Sequence, residues 1–175
     1  MSYILLAILF ILSGFFMKYS DDLFDVKNNT NFASVFGILC GVASAFASIY
    51  CSEAAYIFLA ILIGNLLVMK VDGIHHVLAL LVFFVILLIG GIPQLSLVVL
   101  LICILAAVSD EVGHELISNY TQSRFWNLFF EYRFVMKIVI LLLAACGVLN
   151  VWIFVCFILF EISYATAGIV FERFN

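Results

Sequence analysis

Long apolar runs alternate with short polar clusters along the whole chain. Runs of about 15 to 20 apolar residues are typical of helices that cross the hydrocarbon core of a bilayer, which is about 30 Å thick. Two of the clusters between them, "GGIPQ" and "GVLNVW", are typical of tight turns. The pattern predicts an all-α fold, a polytopic transmembrane helical bundle that forms a single domain over residues 1–175. Its seven predicted spans cover residues 3–17, 32–51, 54–69, 76–92, 95–109, 135–149 and 151–171.

The composition supports this assignment and excludes some classes of partner. Hydrophobic residues make up 67% of the chain and charged residues only 10%, whereas soluble domains are about a quarter charged. We therefore expect a multi-pass protein of the cell membrane, with the lipid bilayer as its main partner. The chain has no basic tail, which argues against nucleic acid as a partner. Its five cysteines lack CxxC spacing and are interpreted as small buried hydrophobic side chains.

The positions of the basic residues predict the orientation in the membrane. With seven alternating spans, every basic residue falls on the same side, whereas six spans would divide them between the two sides. Basic residues are concentrated on the cytoplasmic side of membrane proteins, so we expect the N-terminus outside and the C-terminus inside. These residues are Lys18, Lys27, Lys70, Arg124, Arg133, Lys137 and Arg173.

Acidic residues outnumber basic residues on this predicted cytoplasmic side, and the first group of them is "DDLFD". If the first helix continues past Lys18, then Asp21, Asp22 and Asp25 share one face through their spacings of three and four residues. Three close carboxylates repel each other unless a cation lies between them or water screens them. Oxygen ligands at this spacing suit Mg²⁺. A solvated loop that ends the first helix is the alternative interpretation.

The second acidic group, "SDEVGHE", follows the fifth predicted span. On a helix, Asp110 lies one turn from His114, and Glu111 lies one turn from Glu115. Asp110 is a candidate metal ligand or general base, and His114 or Glu115 is a candidate for moving protons. The alternative is a solvated extension of the fifth helix.

The third group, "NLLVMKVDGIHH", ends the third predicted span. Lys70 is a candidate phosphate ligand and Asp72 a candidate metal ligand. Asn65 lies more than one turn deeper and is expected to face other helices or a polar cavity, where it would contact substrate. Lys70 could instead extend to the interface and only determine topology. The two histidines that follow, His75 and His76, are expected at the interface rather than on a metal.

Two charged residues fall within predicted spans. Lys137 lies one turn into the sixth span, and Glu161 lies near the middle of the seventh. An ionisable residue at that depth suggests a function; Glu161 is expected to be protonated, paired with Lys137, or hydrogen-bonded to a hydroxyl group. Residues 110–134 are predicted to form an interfacial segment, rich in aromatic residues near its end. Within it, Arg133 could bind phosphate together with Lys137.

Small residues form a stripe along the second predicted span, at Ala33, Gly37, Gly41 and Ala45. Such a stripe allows helices to approach closely, either within one bundle or between subunits. A homo-oligomer formed through this stripe is therefore one expectation.

The motif "DDLFD" resembles the DDxxD motif of the UbiA-type intramembrane prenyltransferases. The resemblance implies that Asp21, Asp22 and Asp25 bind a Mg²⁺-bound prenyl diphosphate. That family has a second Asp-rich loop with the pattern DxxxD. Here "SDEVGHE" would take its place, with His114 at the last position. The family also has nine helices where this chain has seven predicted spans.

The leading hypothesis is an enzyme that depends on Mg²⁺ or Mn²⁺ and acts on a lipid carrying phosphate or diphosphate. The metal would neutralise charge on the leaving group. The alternatives are a cation channel or transporter in which Glu161 and Asn65 mark the pathway, and a structural subunit of a membrane complex.

Overall fold

The computed structural model describes residues 2–71, 73–120 and 124–174, and this part of the chain is built of α-helices without a β-strand. The side chains of residues 117–120, 124, 128 and 131 lie outside the description. The helices are α1 (Tyr3–Asp25), α2 (Thr30–Tyr50), α3 (Ser52–Leu67), α4 (Ile74–Gly90), α5 (Leu97–Tyr120), α6 (Arg124–Glu131), α7 (Phe134–Ala145) and α8 (Val151–Phe174).

Each of the seven apolar runs is a helix, so the all-α prediction is confirmed. Four helical segments within the described ranges are long and apolar enough to cross a membrane: Tyr3–Asp25, Thr30–Tyr50, Leu97–Leu116 and Val151–Phe174. The remaining apolar helices, α3, α4 and α7, have 16, 17 and 12 residues. At 1.5 Å per residue, α7 is only about 18 Å long, well short of the bilayer core. The structure thus supports a membrane protein with four candidate spans.

The region predicted as one interfacial segment, 110–134, is divided between helices. The fifth helix continues through Asp110 and Glu111 to Tyr120, and α6 is a separate helix of eight residues. Asp110 is 1% exposed and Glu111 is 6% exposed. Hydropathy shows where an apolar run ends, but a helix continues past that point when its buried polar side chains find partners.

Each helix packs against one or more neighbouring helices, and the core between them contains several buried aromatic side chains. Helix α1 packs against α2 and α8, α2 also packs against α4, and α3 packs against α5. Two hydroxyl groups join these helices at buried positions. The Ser20 hydroxyl donates a 2.7 Å hydrogen bond to the Ala33 carbonyl of α2, and the Ser163 hydroxyl of α8 donates one of 2.7 Å to Ile11 of α1. The largest fully buried side chains include Phe10, Phe83, Phe157 and Phe160.

The small-residue stripe of α2 is used for contact inside the chain. A Cβ atom at Gly37 would lie 2.6 Å from the carbonyl oxygen of His75, and one at Gly41 would lie 2.5 Å from that of Ala79. Glycine is needed at both positions because the backbone of α4 occupies the space of a side chain. The stripe therefore determines where His75 lies. A homo-oligomer stays a prediction and would need a different surface.

Replacing Gly41 by Ala should destabilise the bundle by about 1–3 kcal/mol, because the new methyl group collides with the Ala79 carbonyl of α4. The matched control is Gly168→Ala in α8, where the added Cβ would lie 3.1 Å from the flexible end of Lys18. Both substitutions raise helix propensity by a similar amount, so the difference in stability between the two variants reports the collision alone. Thermal unfolding in detergent measures both stabilities, and equal melting temperatures would contradict the close α2–α4 contact.

Candidate functional site

A cavity of about 220 Å³ lies at the end of the bundle where α1 and α3 end and where α4 and α7 begin. Much of its polar lining comes from residues near these helix ends, and Glu111 and Tyr164 add polar groups from the interiors of α5 and α8. Its apolar lining comes from deeper positions in α1, α3 and α4. The polar residues are Ser20, Asp21, Ser44, Asn65, Lys70, His75, His76, Glu111, Arg133 and Tyr164. The apolar residues include Met17, Phe58, Ile61, Leu62, Leu80 and Phe83. The cavity thus offers both charged and hydrocarbon-like walls.

One carboxylate and two imidazoles converge on one side of this cavity. The Nε2 atom of His75 lies 3.4 Å from Oδ1 of Asp21, and Nε2 of His76 lies 3.7 Å from the same oxygen. His75 is 2% exposed. Its two ring nitrogens and the Asp21 oxygen are buried without a hydrogen-bond partner among the described residues. Within the described part of the chain, these three residues form the only group of three or more His, Cys, Asp or Glu with metal-ligand spacing.

Local sequence explains how His75 becomes buried at the start of a helix. Gly73 is the N-cap of α4, and a Cβ atom there would lie 2.3 Å from Cε1 of His75. The missing side chain leaves room for the imidazole to fold back against the backbone. The ring also packs against Phe24, with their centroids 4.6 Å apart. Two glycines, Gly37 and Gly73, are therefore required for this placement.

A second group is centred on Glu111, which faces two cations. The Lys70 ammonium group donates a hydrogen bond to its Oε2 atom, and Arg133 Nη2 lies 2.8 Å from its Oε1 atom. Arg133 also lies over the ring of Tyr164, with 5.6 Å from Cζ to the ring centroid. Burial alone would lower the pKa of Arg133, but the negative charge of Glu111 and other acidic groups raises it overall, so the guanidinium stays charged.

Asp110 does not face the cavity formed by these groups but caps α7. Its two carboxylate oxygens accept hydrogen bonds of 3.0 Å from the Val135 N–H and 2.7 Å from the Met136 N–H. Arg133, which precedes α7, has left-handed backbone angles and supplies no side-chain cap. The amides at the start of a helix have no partner within the helix and favour a negative charge. The Asp110 carboxylate of α5 thus provides the acceptor for the free amides at the N-terminus of α7.

Glu161, the acidic residue within α8, also has a partner of opposite charge. Lys137 Nζ lies 2.9 Å from Oε2 of Glu161, and it also donates to the carbonyl of Tyr132. Of the three states considered from the sequence, the structure shows the ion pair with Lys137. The charge of Glu161 is therefore balanced by a neighbouring cation, as is usual for ionisable residues within a membrane bundle. Lys137 lies outside the cavity lining.

The predicted metal ligands do not gather into one site. Asp22 forms an ion pair with Lys18 at 2.9 Å, and Asp25 is exposed at the end of α1. Asp110 is occupied as a cap, and Asp72 lies outside the described residues. Among the predicted metal ligands that the structure describes, only Asp21 faces the cavity. Residues on adjacent positions of a helix point about 100° apart, which separates Asp21 from Asp22.

The candidates for moving protons are also placed away from the cavity. His114 and Glu115 are exposed on α5, beyond its buried turn. Of the four predicted substrate ligands, Asn65, Lys70 and Arg133 line the cavity, whereas Lys137 does not.

Sequence reasoning missed the contributions of His75, His76 and Tyr164. The signal for the histidines was present, because helix alternation places the start of α4 at the same end as the finish of α1. For Tyr164 the available signal was its spacing of three residues from Glu161, which places the two side chains on neighbouring positions of one helix face.

Comparisons with known proteins identify no relative. A scan against family models gives no match, and searches of curated proteins and of solved structures give none either. The resemblance of "DDLFD" to the UbiA-type motif stays a prediction.

Replacing Asp110 by Ala should lower the free energy of unfolding by about 1–3 kcal/mol, because two amides at the start of α7, one of them buried, lose their acceptor. Asp110→Asn should cost less, since the amide oxygen still accepts one of the two bonds. Asp25→Ala is the control, since an exposed substitution should change stability by at most about 0.5 kcal/mol. Thermal unfolding in detergent is the measurement. A loss with Asp25→Ala as large as with Asp110→Ala would contradict the cap.

Proposed function

We propose that the chain is a multi-pass membrane enzyme that uses a divalent cation and acts on a lipid carrying phosphate or diphosphate. The observation that supports this best is the composition of the cavity wall. Charged groups lie at its polar end, and the apolar side chains of α3 and α4 continue from there into the bundle. A lipid with a short phosphate headgroup needs both kinds of wall.

The cations of the cavity suit the oxygens of a phosphate. Lys70 acts as a compact point charge, and Arg133 offers several N–H donors in one plane. Both contact Glu111, which holds them in place before a ligand arrives. Preorganised donors of this kind stabilise charge that develops during a reaction. Asn65 adds an amide on the same wall.

The charge balance of the cavity explains why a metal is part of the proposal. Two acids, Asp21 and Glu111, face two bases, Lys70 and Arg133, so their formal charges cancel when the histidines are neutral. A phosphate monoester or diphosphate brings additional negative charge. A divalent cation beside Asp21 would compensate it and neutralise the leaving group. From sequence, Mg²⁺ or Mn²⁺ is the expected ion.

The proposed topology has seven spans, with the cavity on the cytoplasmic side, the N-terminus outside and the C-terminus inside. Supporting this orientation, Lys18, Lys70, Arg133 and Lys137 lie around the cavity end of the bundle. The opposite turns carry little charge, with Glu53 accepting a hydrogen bond from the Asn150 N–H. The positive-inside tendency then makes the cavity end cytoplasmic.

Turnover is the direct test of the proposed enzyme. The purified full-length chain in detergent should release phosphate or diphosphate from a prenyl diphosphate or a phosphatidate when Mg²⁺, Mn²⁺ or Zn²⁺ is added. Lys70→Met and Asp21→Asn should each lower the rate by about 100-fold, since each removes charge stabilisation at the reacting group. Glu172→Gln, at an exposed acid of α8, is the matched control and should keep full activity.

Two outcomes would overturn the enzyme proposal. One is the absence of turnover with any of these lipids and ions. The other is cation flux into liposomes that is lost with Asp21→Asn while lipid turnover is absent, which would make the chain a carrier.

Labelling of cysteines tests the proposed orientation. Cys146 is exposed in the turn between α7 and α8, unlike the buried cysteine expected from the sequence. An impermeant maleimide should therefore label it from outside in intact cells. In a Cys146→Ser background, Asn31→Cys at the start of α2 should be labelled only after permeabilisation. Labelling of both positions from the same side would contradict the seven-span topology.

A further inference from the structure

We propose that Asp21, His75 and His76 bind a late first-row divalent ion such as Zn²⁺, rather than the Mg²⁺ expected from the acidic motif. The ion would have one coordination position open toward the cavity. Its role as the metal of the enzyme depends on the proposed function, whereas its binding does not.

The distances among the three residues suit a single coordination sphere. Two ligand atoms that each lie about 2.1 Å from one zinc ion at a tetrahedral angle are about 3.4 Å apart. The two measured separations from Asp21 Oδ1 are 3.4 Å to His75 and 3.7 Å to His76. All three ligand atoms lie within 4.8 Å of one another, so small rotations of the rings complete the arrangement.

Burial is a second and independent indication that points to a ligand. His75 is 2% exposed, it lines the cavity, and neither ring nitrogen has a hydrogen-bond partner in the described ranges. Buried polar atoms are nearly always paired, because an unpaired one costs about 1–3 kcal/mol. Coordination through Nε2 would satisfy that nitrogen and the Asp21 oxygen at the same time.

An ordinary ion pair explains the same atoms less well. Hydrogen bonds from nitrogen to oxygen have lengths of about 2.7–3.2 Å, and both nitrogens near Asp21 Oδ1 lie beyond that range. Two imidazoles also approach the same carboxylate oxygen, where one would suffice for a pair. Their ring centroids are 4.0 Å apart, with the ring planes tilted by 36°, and two charged imidazolium groups would resist such a close approach.

The donor set selects the class of metal. Mg²⁺ prefers six oxygen ligands and keeps several waters, whereas imidazole nitrogen suits Zn²⁺ and its late first-row neighbours. Two histidines and one carboxylate are also a known set for catalytic zinc, which leaves a position for water or substrate. Lys70 and Arg133 line the same cavity. A phosphate oxygen on the open position could therefore reach these cations as well.

Metal binding without any lipid tests the site separately from the enzyme. The purified full-length chain in detergent is stripped with a chelator and dialysed against Zn²⁺ with an excess of Mg²⁺, and bound metal is measured by mass spectrometry. We expect a single equivalent of Zn²⁺ per chain. His75→Ala and His76→Ala should each weaken binding by more than about 100-fold, since even indirect supports of metal sites cost 10–100-fold. His114→Ala is the matched control, because this histidine is exposed on α5.

X-ray absorption at the zinc edge gives a result that does not depend on how well the variants fold. The wild-type chain should show two imidazole ligands together with oxygen ligands. Zinc binding that persists in both His75→Ala and His76→Ala, a spectrum without imidazole, or a preference for Mg²⁺ would overturn the site. Zinc bound as expected without lipid turnover would leave the site standing and overturn only the proposed enzyme.

Discussion

Charge compensation in a nonpolar environment is the constraint on which this structure depends. A buried ion is costly unless a partner of opposite charge or several hydrogen-bond donors satisfy it. Glu111 lies between Lys70 and Arg133, and Glu161 is paired with Lys137. These pairs join α5 to the loops beside α3 and α7, and α7 to α8. Acids that look surplus in the sequence are thus structural links between helices.

Asp110 is the plainest case of a polar residue whose role is structural. Its position one helical turn from His114 suggests catalysis, but its carboxylate accepts hydrogen bonds from the amides at the start of α7. This helix has only 12 residues, so a fixed N-terminus matters more for it than for longer helices. Placing α7 in turn places Arg133, which precedes it and reaches Glu111.

Close packing between the backbones of α2 and α4 positions the histidines of the site. Gly37 and Gly41 allow α4 to lie against α2 without intervening side chains, and this contact positions His75 opposite Asp21. Lys70, Arg133 and Glu111 pair with one another in one part of the cavity lining, and the Asp21 carboxylate meets the two imidazoles in another. The convergence of two imidazoles on one carboxylate oxygen is what makes Asp21, His75 and His76 distinct among the polar residues described.

The sequence by itself determined that the chain is helical and apolar, because hydrophobic run length depends only on neighbours along the chain. Of the residues that it proposed for one site and that the structure describes, four line the cavity, and the other six do not: Asp22, Asp25, Asp110, His114, Glu115 and Lys137. Only the tertiary structure decided that Asp22 and Asp110 have structural partners and that His75 and His76 belong with Asp21. The direction in which each side chain faces depends on helix rotation and on contacts between distant segments, and local patterns do not encode either.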